Sequence, residues 1–170
     1  MNMSKEMEGK TVLVTGSSRG IGAAAARLVQ EYGGRAILHG KTESEKLRAF
    51  AAELDAPFIV ADIADPKAVR QAIERLAAVE KRIDGLVNCA SIHKSQSIES
   101  KDEDWLEVYR TNVLGAVHFS RELVALMRSQ GFGRIVNVAS TRGLEWMAGQ
   151  RSMAYSGAKA ALINFTAALA

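Results

Sequence analysis

The sequence is poor in the features that mark exported or membrane-bound proteins. It contains one cysteine, Cys89, and two prolines among 170 residues. A single cysteine excludes an internal disulfide, the usual device of small exported domains. No run of about eighteen apolar residues offers a membrane-spanning helix, and residues 1–10 lack the apolar core of a signal peptide. We therefore expect a cytoplasmic protein that makes no membrane contact.

The chain also has little excess of either charge. Its 22 basic residues stand against 19 acidic ones, for a formal net charge of +3. The basic residues are scattered and form no stripe, so nucleic-acid binding has little support. The three histidines, His39, His93 and His118, are not spaced with acids or with Cys89 in the way that metal ligands are. No metal site is expected.

What is present is the composition of an ordinary globular domain, with 48% apolar and 24% charged residues. Short β-branched runs alternate with longer amphipathic runs, without a repeat or a linker. Five strands are predicted, at residues 11–15, 35–39, 57–60, 85–88 and 134–139. Five helices are predicted, at residues 21–31, 42–54, from 66 onward, 102–129 and from 152 onward.

Two of the helix starts carry capping signals. Thr42 with Glu45 matches a capping box, and Asp65 is a predicted N-cap before Pro66. Apolar strands separated by helices predict a parallel sheet covered on both faces, in a doubly wound α/β fold. The ligand of such a fold lies at the carboxyl ends of its strands. We expect residues 1–170 to form a single nucleotide-binding domain.

A glycine-rich turn joins the first predicted strand to its helix. Residues 15–22 have the sequence Thr-Gly-Ser-Ser-Arg-Gly-Ile-Gly. Glycine permits a left-handed turn and the close approach of a pyrophosphate, and the following helix offers free N–H groups. The spacing T-G-x-x-x-G-x-G resembles that of the short-chain dehydrogenase/reductase family. The resemblance implies a Rossmann-like domain whose turn contacts a nicotinamide cofactor through Gly16, Ser18, Arg19, Gly20, Ile21 and Gly22.

Basic residues near the end of the second predicted strand favour NADP(H) over NAD(H). In folds of this kind an acid about 20 positions past the glycines binds the ribose hydroxyls of NAD, and no acid stands at that place. Lys41 and Arg19 could instead pair with a 2′-phosphate, although Glu43 nearby weakens the case. In the resembling family, basic residues at these two places imply NADP. The alternative is that both are solvated surface charges.

Two further segments match cofactor contacts of the resembling family. Asp62 and Ile63 follow the third predicted strand, where the family places an acid and an apolar residue against the adenine. Asp62 fits a loop or capping residue equally well. Residues 88–91 are Asn-Cys-Ala-Ser where the family has Asn-Asn-Ala-Gly, so Asn88 and Ala90 match. The serine in place of glycine bears on how closely the backbone approaches the cofactor.

The segment Tyr155-Ser-Gly-Ala-Lys159 predicts the reacting centre. Positions i and i+4 share a helix face, so the phenol and the ammonium can be held together. A nearby ammonium favours the phenolate and lowers the pKa of tyrosine from its usual value of about 10. Such a pair can exchange a proton with a carbonyl or alcohol oxygen. By itself this spacing is also common on amphipathic helix surfaces.

Roles for four residues follow from the resemblance. It implies that Tyr155 is the general acid/base and that Lys159 activates it and binds the ribose. Ser140 matches the serine that hydrogen-bonds the substrate oxygen, with Thr141 a weaker candidate. Asn112 matches the helix asparagine that supports a proton relay. The interval from Ser140 to Tyr155 predicts a slightly enlarged loop at residues 142–151.

The resemblance covers residues 9–170 and includes five of the seven strands that the family has. We expect the chain to stop within its last helix, and to show weak or no turnover by itself. The predicted activity is hydride transfer between NADP(H) and a carbonyl or secondary alcohol. A small ketone or sugar and a carrier-linked 3-oxoacyl group are both open as substrates, and a full-length form is expected to be a homo-oligomer. The alternative is a nucleotide-binding module that needs a further segment for activity.

Overall fold

A computed structural model describes residues 5–144 and 151–170. Its strands are β1 Thr11–Val14, β2 Arg35–Gly40, β3 Phe58–Val60, β4 Gly85–Asn88 and β5 Arg134–Asn137. Its α-helices are α1 Gly20–Glu31, α2 Glu45–Leu54, α3 Pro66–Val79, α4 Asp102–Tyr109, α5 Gly115–Ser129 and α6 Met153–Leu169. A π-helical turn, Arg110–Leu114, joins α4 to α5, and a 3-10 turn, Thr141–Gly143, follows β5.

The five strands form one parallel sheet in the order β3-β2-β1-β4-β5. The chain winds outward from β1 to β3 and then returns to place β4 on the other side of β1. The strand order therefore reverses between β1 and β4, and a crevice opens there at the carboxyl ends of the strands. This architecture confirms the predicted doubly wound α/β fold.

The core lies in two layers, one on each face of the sheet. On β1, Leu13 belongs to a buried cluster with side chains of α3 and α5, such as Val69 and Phe119. Its neighbours Val12 and Val14 belong to the opposite cluster, which includes residues of α1 and α2. Successive side chains of a strand point to opposite faces, so the continuous apolar run of β1 supplies both layers and is buried on both sides.

One of the two predicted helix caps is confirmed and the other is wrong. The Asp65 carboxylate accepts hydrogen bonds from the N–H groups of Lys67 (2.9 Å) and Ala68 (3.3 Å) at the start of α3. Helix α2 instead begins after Ser44, whose hydroxyl accepts from the Leu47 N–H at 3.2 Å. The carbonyl of Thr42 accepts from the Ser44 N–H, so Thr42 lies in a turn before the helix and forms no capping box with Glu45.

The predicted helix over residues 102–129 is interrupted. The π-helical turn Arg110–Leu114 separates α4 from α5 and contains Asn112. Such turns are frequent at functional sites, because the wider turn frees backbone groups from the regular ladder. Of the enlarged loop predicted at residues 142–151, positions 145–150 lie outside the described residues. Within residues 5–144 and 151–170, no helix is both long enough and apolar enough to cross a membrane.

Candidate active site

The glycine turn is packed so tightly that two of its glycines have no room for a side chain. A Cβ on Gly16 would lie 2.7 Å from the Ala90 Cα, and a Cβ on Gly22 would lie 2.5 Å from the Gly16 carbonyl oxygen. Gly16 and Gly20 also have φ angles of +66° and +59°, in the left-handed region that favours glycine. The turn therefore lies flat against the loop after β4 and leaves its outer side open.

Helix α1 starts without a side-chain cap. Arg19 is the N-cap residue, its side chain makes no capping hydrogen bond, and the first turn holds no acidic residue. The first N–H groups of a helix have no partner within the helix and favour an anion. This end of α1 faces the crevice between β1 and β4, and Arg19 and Ile21 project there, Ile21 with 67% of its surface exposed.

Thr15 forms hydrogen bonds that hold the site together, and the sequence analysis did not predict this role. Its hydroxyl oxygen accepts from the N–H groups of Cys89 (3.0 Å) and Ala90 (3.1 Å), and its O–H donates to the Val87 carbonyl at 3.3 Å. These bonds tie the end of β1 to the loop after β4. The threonine that precedes the glycines was the available signal.

A cleft of about 460 Å³ lies at the carboxyl ends of β1, β2 and β4. Most of the residues predicted to contact the cofactor line it: Gly16, Ser18, Arg19, Gly20, Ile21, Gly22, Lys41, Asp62, Ile63 and Ala90. Lining residues absent from the prediction are His39, Gly40, Cys89, Ser91, Ile92, Glu107 and Thr111. Glu107 forms an ion pair with Lys94. Sequence spacing could not place Glu107 or Thr111, because they come from the end of α4 and the π-helical turn.

Asn88, which was predicted to contact the cofactor, is turned away from the cleft. Its side-chain amide donates to the hydroxyl of Ser120 (3.3 Å) and to the side-chain oxygen of Asn137 (2.8 Å). The side chain is buried and joins β4 to α5 and β5. The Asn88 side chain therefore holds neighbouring elements together outside the cleft, and the cleft wall after β4 is formed by Ala90 and its neighbours.

Lys41 and Asp62 meet in the wall of the cleft. The Lys41 Nζ lies 2.8 Å from the Asp62 Oδ2, and this hydrogen bond raises the pKa of Lys41. Partial burial acts to raise the pKa of Asp62, but hydrogen bonds from Lys41 and from the Ala64 N–H outweigh burial and leave that pKa below its usual value. Both groups are therefore charged at neutral pH.

Lys159 is a buried cation without a carboxylate partner among the described residues. Only 3% of its surface is exposed, and its Nζ donates to the Val138 carbonyl at 2.7 Å. The Nζ lies 5.7 Å from the centre of the Tyr155 ring. Burial lowers the pKa of Lys159. Burial also raises the pKa of the neighbouring Cys89 thiol, and the charge of Lys159 offsets only part of that effect.

Ser140 is held against the helix that carries Lys159. It caps the 3-10 turn Thr141–Gly143, its hydroxyl oxygen accepting from the Arg142 N–H at 3.2 Å. Gly143 lies so close to α6 that a Cβ there would be 2.7 Å from the carbonyl carbon of Lys159. The carbonyl that binds the Lys159 ammonium belongs to Val138, two residues before Ser140. The end of β5 and the middle of α6 thus form one unit.

Asn112, in the π-helical turn, is hydrogen-bonded to the loop after β4, which contacts α6. Its side-chain oxygen accepts from the Ile92 N–H and its amide donates to the Ile92 carbonyl, both at 2.8 Å. The next residue, His93, packs edge-on against the Tyr155 ring, with ring centres 4.8 Å apart. The hydroxyl of Tyr109 contacts Gly157 on α6. The four predicted catalytic residues therefore lie on elements that contact one another, namely α6, the π-helical turn and the end of β5 with its 3-10 turn. His93, which the prediction did not include, packs on one of them, Tyr155.

The fold and the site define a doubly wound nucleotide-binding protein with a Tyr-x-x-x-Lys helix beside its cleft. The sequence profile of the short chain dehydrogenase family matches residues 10–170, and the chain belongs to this family.

Three of the similar proteins are oxidoreductases by name. The chain is 34% identical over 168 residues to 3-oxoacyl-(acyl-carrier-protein) reductase of Haemophilus influenzae, covering 96% of the chain and 68% of that protein. It is 36% identical over 162 residues to acetoacetyl-CoA reductase of Rhizobium meliloti, covering 95% and 66%. A gluconate 5-dehydrogenase of Burkholderia cenocepacia, solved in complex with NADP and tartrate, superposes with a TM-score of 0.91 at 28% identity, covering 98% and 67%. The chain thus spans about two thirds of the length of these relatives.

Proposed function

We propose that residues 1–170 form one nucleotide-binding and catalytic unit of an NADP(H)-dependent oxidoreductase acting on a carbonyl or secondary alcohol. The observation that carries the proposal is the buried Lys159 ammonium beside Tyr155. Burying a cation without a carboxylate costs free energy, and a main-chain carbonyl at 2.7 Å offsets only part of that cost. Such a group is more readily explained by chemistry than by stability.

The proton chemistry follows from this arrangement. In the proposed reaction the Tyr155 phenol gives its proton to a substrate oxygen during reduction and takes one back during oxidation, with the Lys159 Nζ 5.7 Å from the ring centre. Ser140 donates a hydrogen bond to the same oxygen and stabilises charge on it. Asn112 holds the backbone of Ile92 and, through the next residue, the packing on the Tyr155 ring. The family resemblance adds a relay through this asparagine that returns the proton.

The cleft suits a dinucleotide. Three glycines of the turn, Gly16, Gly20 and Gly22, line the cleft without a side chain in the way of a pyrophosphate, and the uncapped start of α1 provides N–H donors for it. A bound nicotinamide supplies or accepts the hydride at the substrate carbon. Arg19 and Lys41 are exposed on the cleft wall and favour a 2′-phosphate. The relative solved with NADP supports this choice of nucleotide.

The substrate is proposed as a small carbonyl or alcohol, with a carrier-linked acyl group as one candidate. The names of these relatives refer to a 3-oxoacyl group on acyl-carrier protein, to acetoacetyl-CoA and to gluconate. The whole protein is proposed to be cytoplasmic, because the sequence carries no sign of export, and the family resemblance implies a homo-oligomer.

The test measures binding of NADPH and NADH to the purified chain, then NADPH oxidation with a panel that includes acetoacetyl-CoA and simple ketones. We expect tighter binding of NADPH. We also expect weak turnover by the chain itself, which Tyr155→Phe should lower by about a further 10³-fold with unchanged NADPH affinity. Tyr32→Phe is the matched control, because Tyr32 follows α1 and does not line the cleft. Turnover that survives Tyr155→Phe, or no binding of either nucleotide, would overturn the proposal.

A second candidate function is a nucleotide-binding module that needs a further segment. Among the described residues β5 pairs only with β4, and Val136 is 55% exposed. A cavity of about 640 Å³ lies beside β5, between α5 and α6. NADPH binding without turnover, with activity restored by adding the corresponding C-terminal third of a relative, would favour this candidate.

A further inference from the structure

His39 is a buried histidine that contacts the glycine turn, the segment after β3 and helix α5. It lies at the end of β2 with 1% of its surface exposed. The Gly16 N–H donates to the His39 Nδ1 at 3.1 Å, and the Nε2 lies 3.0 Å from the Ala61 carbonyl oxygen beyond β3. The ring also packs edge-on against Phe119 of α5, with ring centres 5.1 Å apart.

These partners determine the protonation state of the ring. A backbone N–H can only donate, so the Nδ1 that faces Gly16 must carry no proton. A carbonyl can only accept, so the Nε2 that faces Ala61 must carry one. The arrangement therefore requires the neutral imidazole with its proton on Nε2. Burial lowers the pKa of His39 to about 4, which keeps the ring neutral at physiological pH.

The backbone of His39 holds the next residue of the turn. The His39 N–H donates to the Ser17 hydroxyl at 2.8 Å, and the Ser17 N–H donates to the His39 carbonyl at 3.0 Å. Two successive residues of the glycine turn are therefore fixed by one residue of β2. Among these hydrogen bonds between His39 and the turn, only the one from the Gly16 N–H uses the imidazole ring of His39.

We infer that His39 is a positioning residue for the cofactor, whose ring sets the left-handed conformation of Gly16 and so the shape of the phosphate-binding turn. The inference rests on the proposed nucleotide-binding function. Gly16 has φ of +66° and little free space around it, so its conformation is sensitive to the loss of one anchor. Without the Nδ1 acceptor the Gly16 N–H is left unpaired, and the turn relaxes away from the shape that accepts a pyrophosphate.

Two substitutions separate the two ring bonds. His39→Asn keeps an acceptor near the position of Nδ1 and loses the group that reaches Ala61. His39→Gln places its amide near the position of Nε2 and loses the acceptor for Gly16. Both variants lose similar packing against Phe119, so a purely structural role predicts similar changes in both. The measurements are the melting temperature, the NADPH dissociation constant at pH 7.5, and hydrogen exchange of the Gly16 amide.

We expect the Asn variant to bind NADPH within about threefold of the unsubstituted chain, and the Gln variant to bind about tenfold more weakly, which is one hydrogen bond to a buried donor. The Gly16 amide should remain protected in the Asn variant and exchange faster in the Gln variant. Equal affinities in the two variants would overturn the inference, and so would weaker binding in Asn than in Gln. If the unsubstituted chain binds no nucleotide, the proposed function fails and this inference fails with it.

Discussion

The Lys41 ammonium is hydrogen-bonded to the Asp62 carboxylate across the cleft, at 2.8 Å between Nζ and Oδ2. Both residues were predicted to bind the cofactor, Lys41 at the 2′-phosphate and Asp62 near the adenine. The pair is exposed, with 74% of the Lys41 side chain and 38% of the Asp62 side chain accessible. An ion pair of this kind is weak, so a phosphate with two negative charges can compete for the lysine.

Reversing the charge at Lys41 should change the nucleotide preference. In Lys41→Asp the carboxylate repels a 2′-phosphate and stands beside Asp62, so we expect the NADPH dissociation constant to rise about tenfold or more, a loss of about 1.4 kcal/mol. NADH affinity should change little. Titration of both nucleotides measures the ratio, with Lys46→Asp on the exposed side of α2 as the charge-matched control. An equal loss for NADH and NADPH would show that Lys41 does not recognise the 2′-phosphate.

Removing the buried ammonium should separate stability from activity. Lys159→Met retains the aliphatic bulk and removes a cation that has no carboxylate partner among the described residues, so we expect turnover to collapse while the melting temperature at pH 7 stays equal or rises. Because the pKa of Lys159 is lowered in the folded chain, the unfolded chain binds more protons between the folded and unfolded pKa values. Stability of the unsubstituted chain should therefore increase as pH rises through that window.

The direction of this pH dependence is measured from the free energies of unfolding of the unsubstituted chain and of Lys159→Met between pH 7 and pH 10. The unsubstituted chain should gain stability relative to Lys159→Met as the buried ammonium loses its proton. A parallel pH dependence in the two chains would show that Lys159 does not carry the proposed burial cost.

Two glycines with the same backbone conformation allow strain and crowding to be distinguished. Gly16 and Gly131 have φ angles of +66° and +69°, but only Gly16 has atoms in the place of a Cβ, while Gly131 has none within 4 Å. Gly131→Ala should cost about 1 kcal/mol of stability from backbone strain alone. Gly16→Ala should cost roughly 2–4 kcal/mol, because a clash with Ala90 is added.

Chemical denaturation of both variants, together with NADPH titration, measures the difference. Gly131→Ala should leave nucleotide binding intact, since Gly131 lies outside the cleft, whereas Gly16→Ala should abolish it. Equal destabilisation in the two variants would mean that the turn moves aside without cost.

Acid should weaken the fold through His39. The pKa of this ring is about 4 in the folded chain against 6.5 for an ordinary histidine, so between these values the unfolded chain binds more protons. Above about pH 6.5 the ring is neutral in both states and this contribution to the free energy of unfolding is fully present. It is lost as pH falls to the folded pKa, and the total loss below that pKa is about 3 kcal/mol. Asp62 faces the ring and opposes the shift, while Gly16, Ser17 and Phe119 carry no charge.

Unfolding free energies of the unsubstituted chain and of His39→Asn between pH 4 and pH 7 measure this contribution. The variant cannot titrate at this position, so the difference between the two chains should shrink as pH falls. A difference that stays constant with pH would contradict the assigned protonation state.

Periodicity was sufficient to predict the sheet and most of its helices, because the strands are short apolar runs, with β1 and most of β2 buried, and most of the helices carry a 3.6-residue pattern. It failed at the start of α2, where Thr42 and Ser44 are both acceptable capping residues. Only the turn made by Thr42 decides between them. The break in the predicted helix at residues 102–129 was equally hidden, since a π-helical turn changes one hydrogen-bond step and leaves the amphipathic pattern almost unchanged.

The sequence by itself determined the family, the glycine turn and the Tyr-x-x-x-Lys helix, because these depend on residue types at fixed local spacing. Tertiary structure alone decided which side chains face the cleft. It turned Asn88 inward to Ser120 and Asn137 and brought His93 onto the Tyr155 ring. Such contacts join residues far apart in the chain, and their geometry is set by strand register and helix packing, which spacing along one chain does not encode.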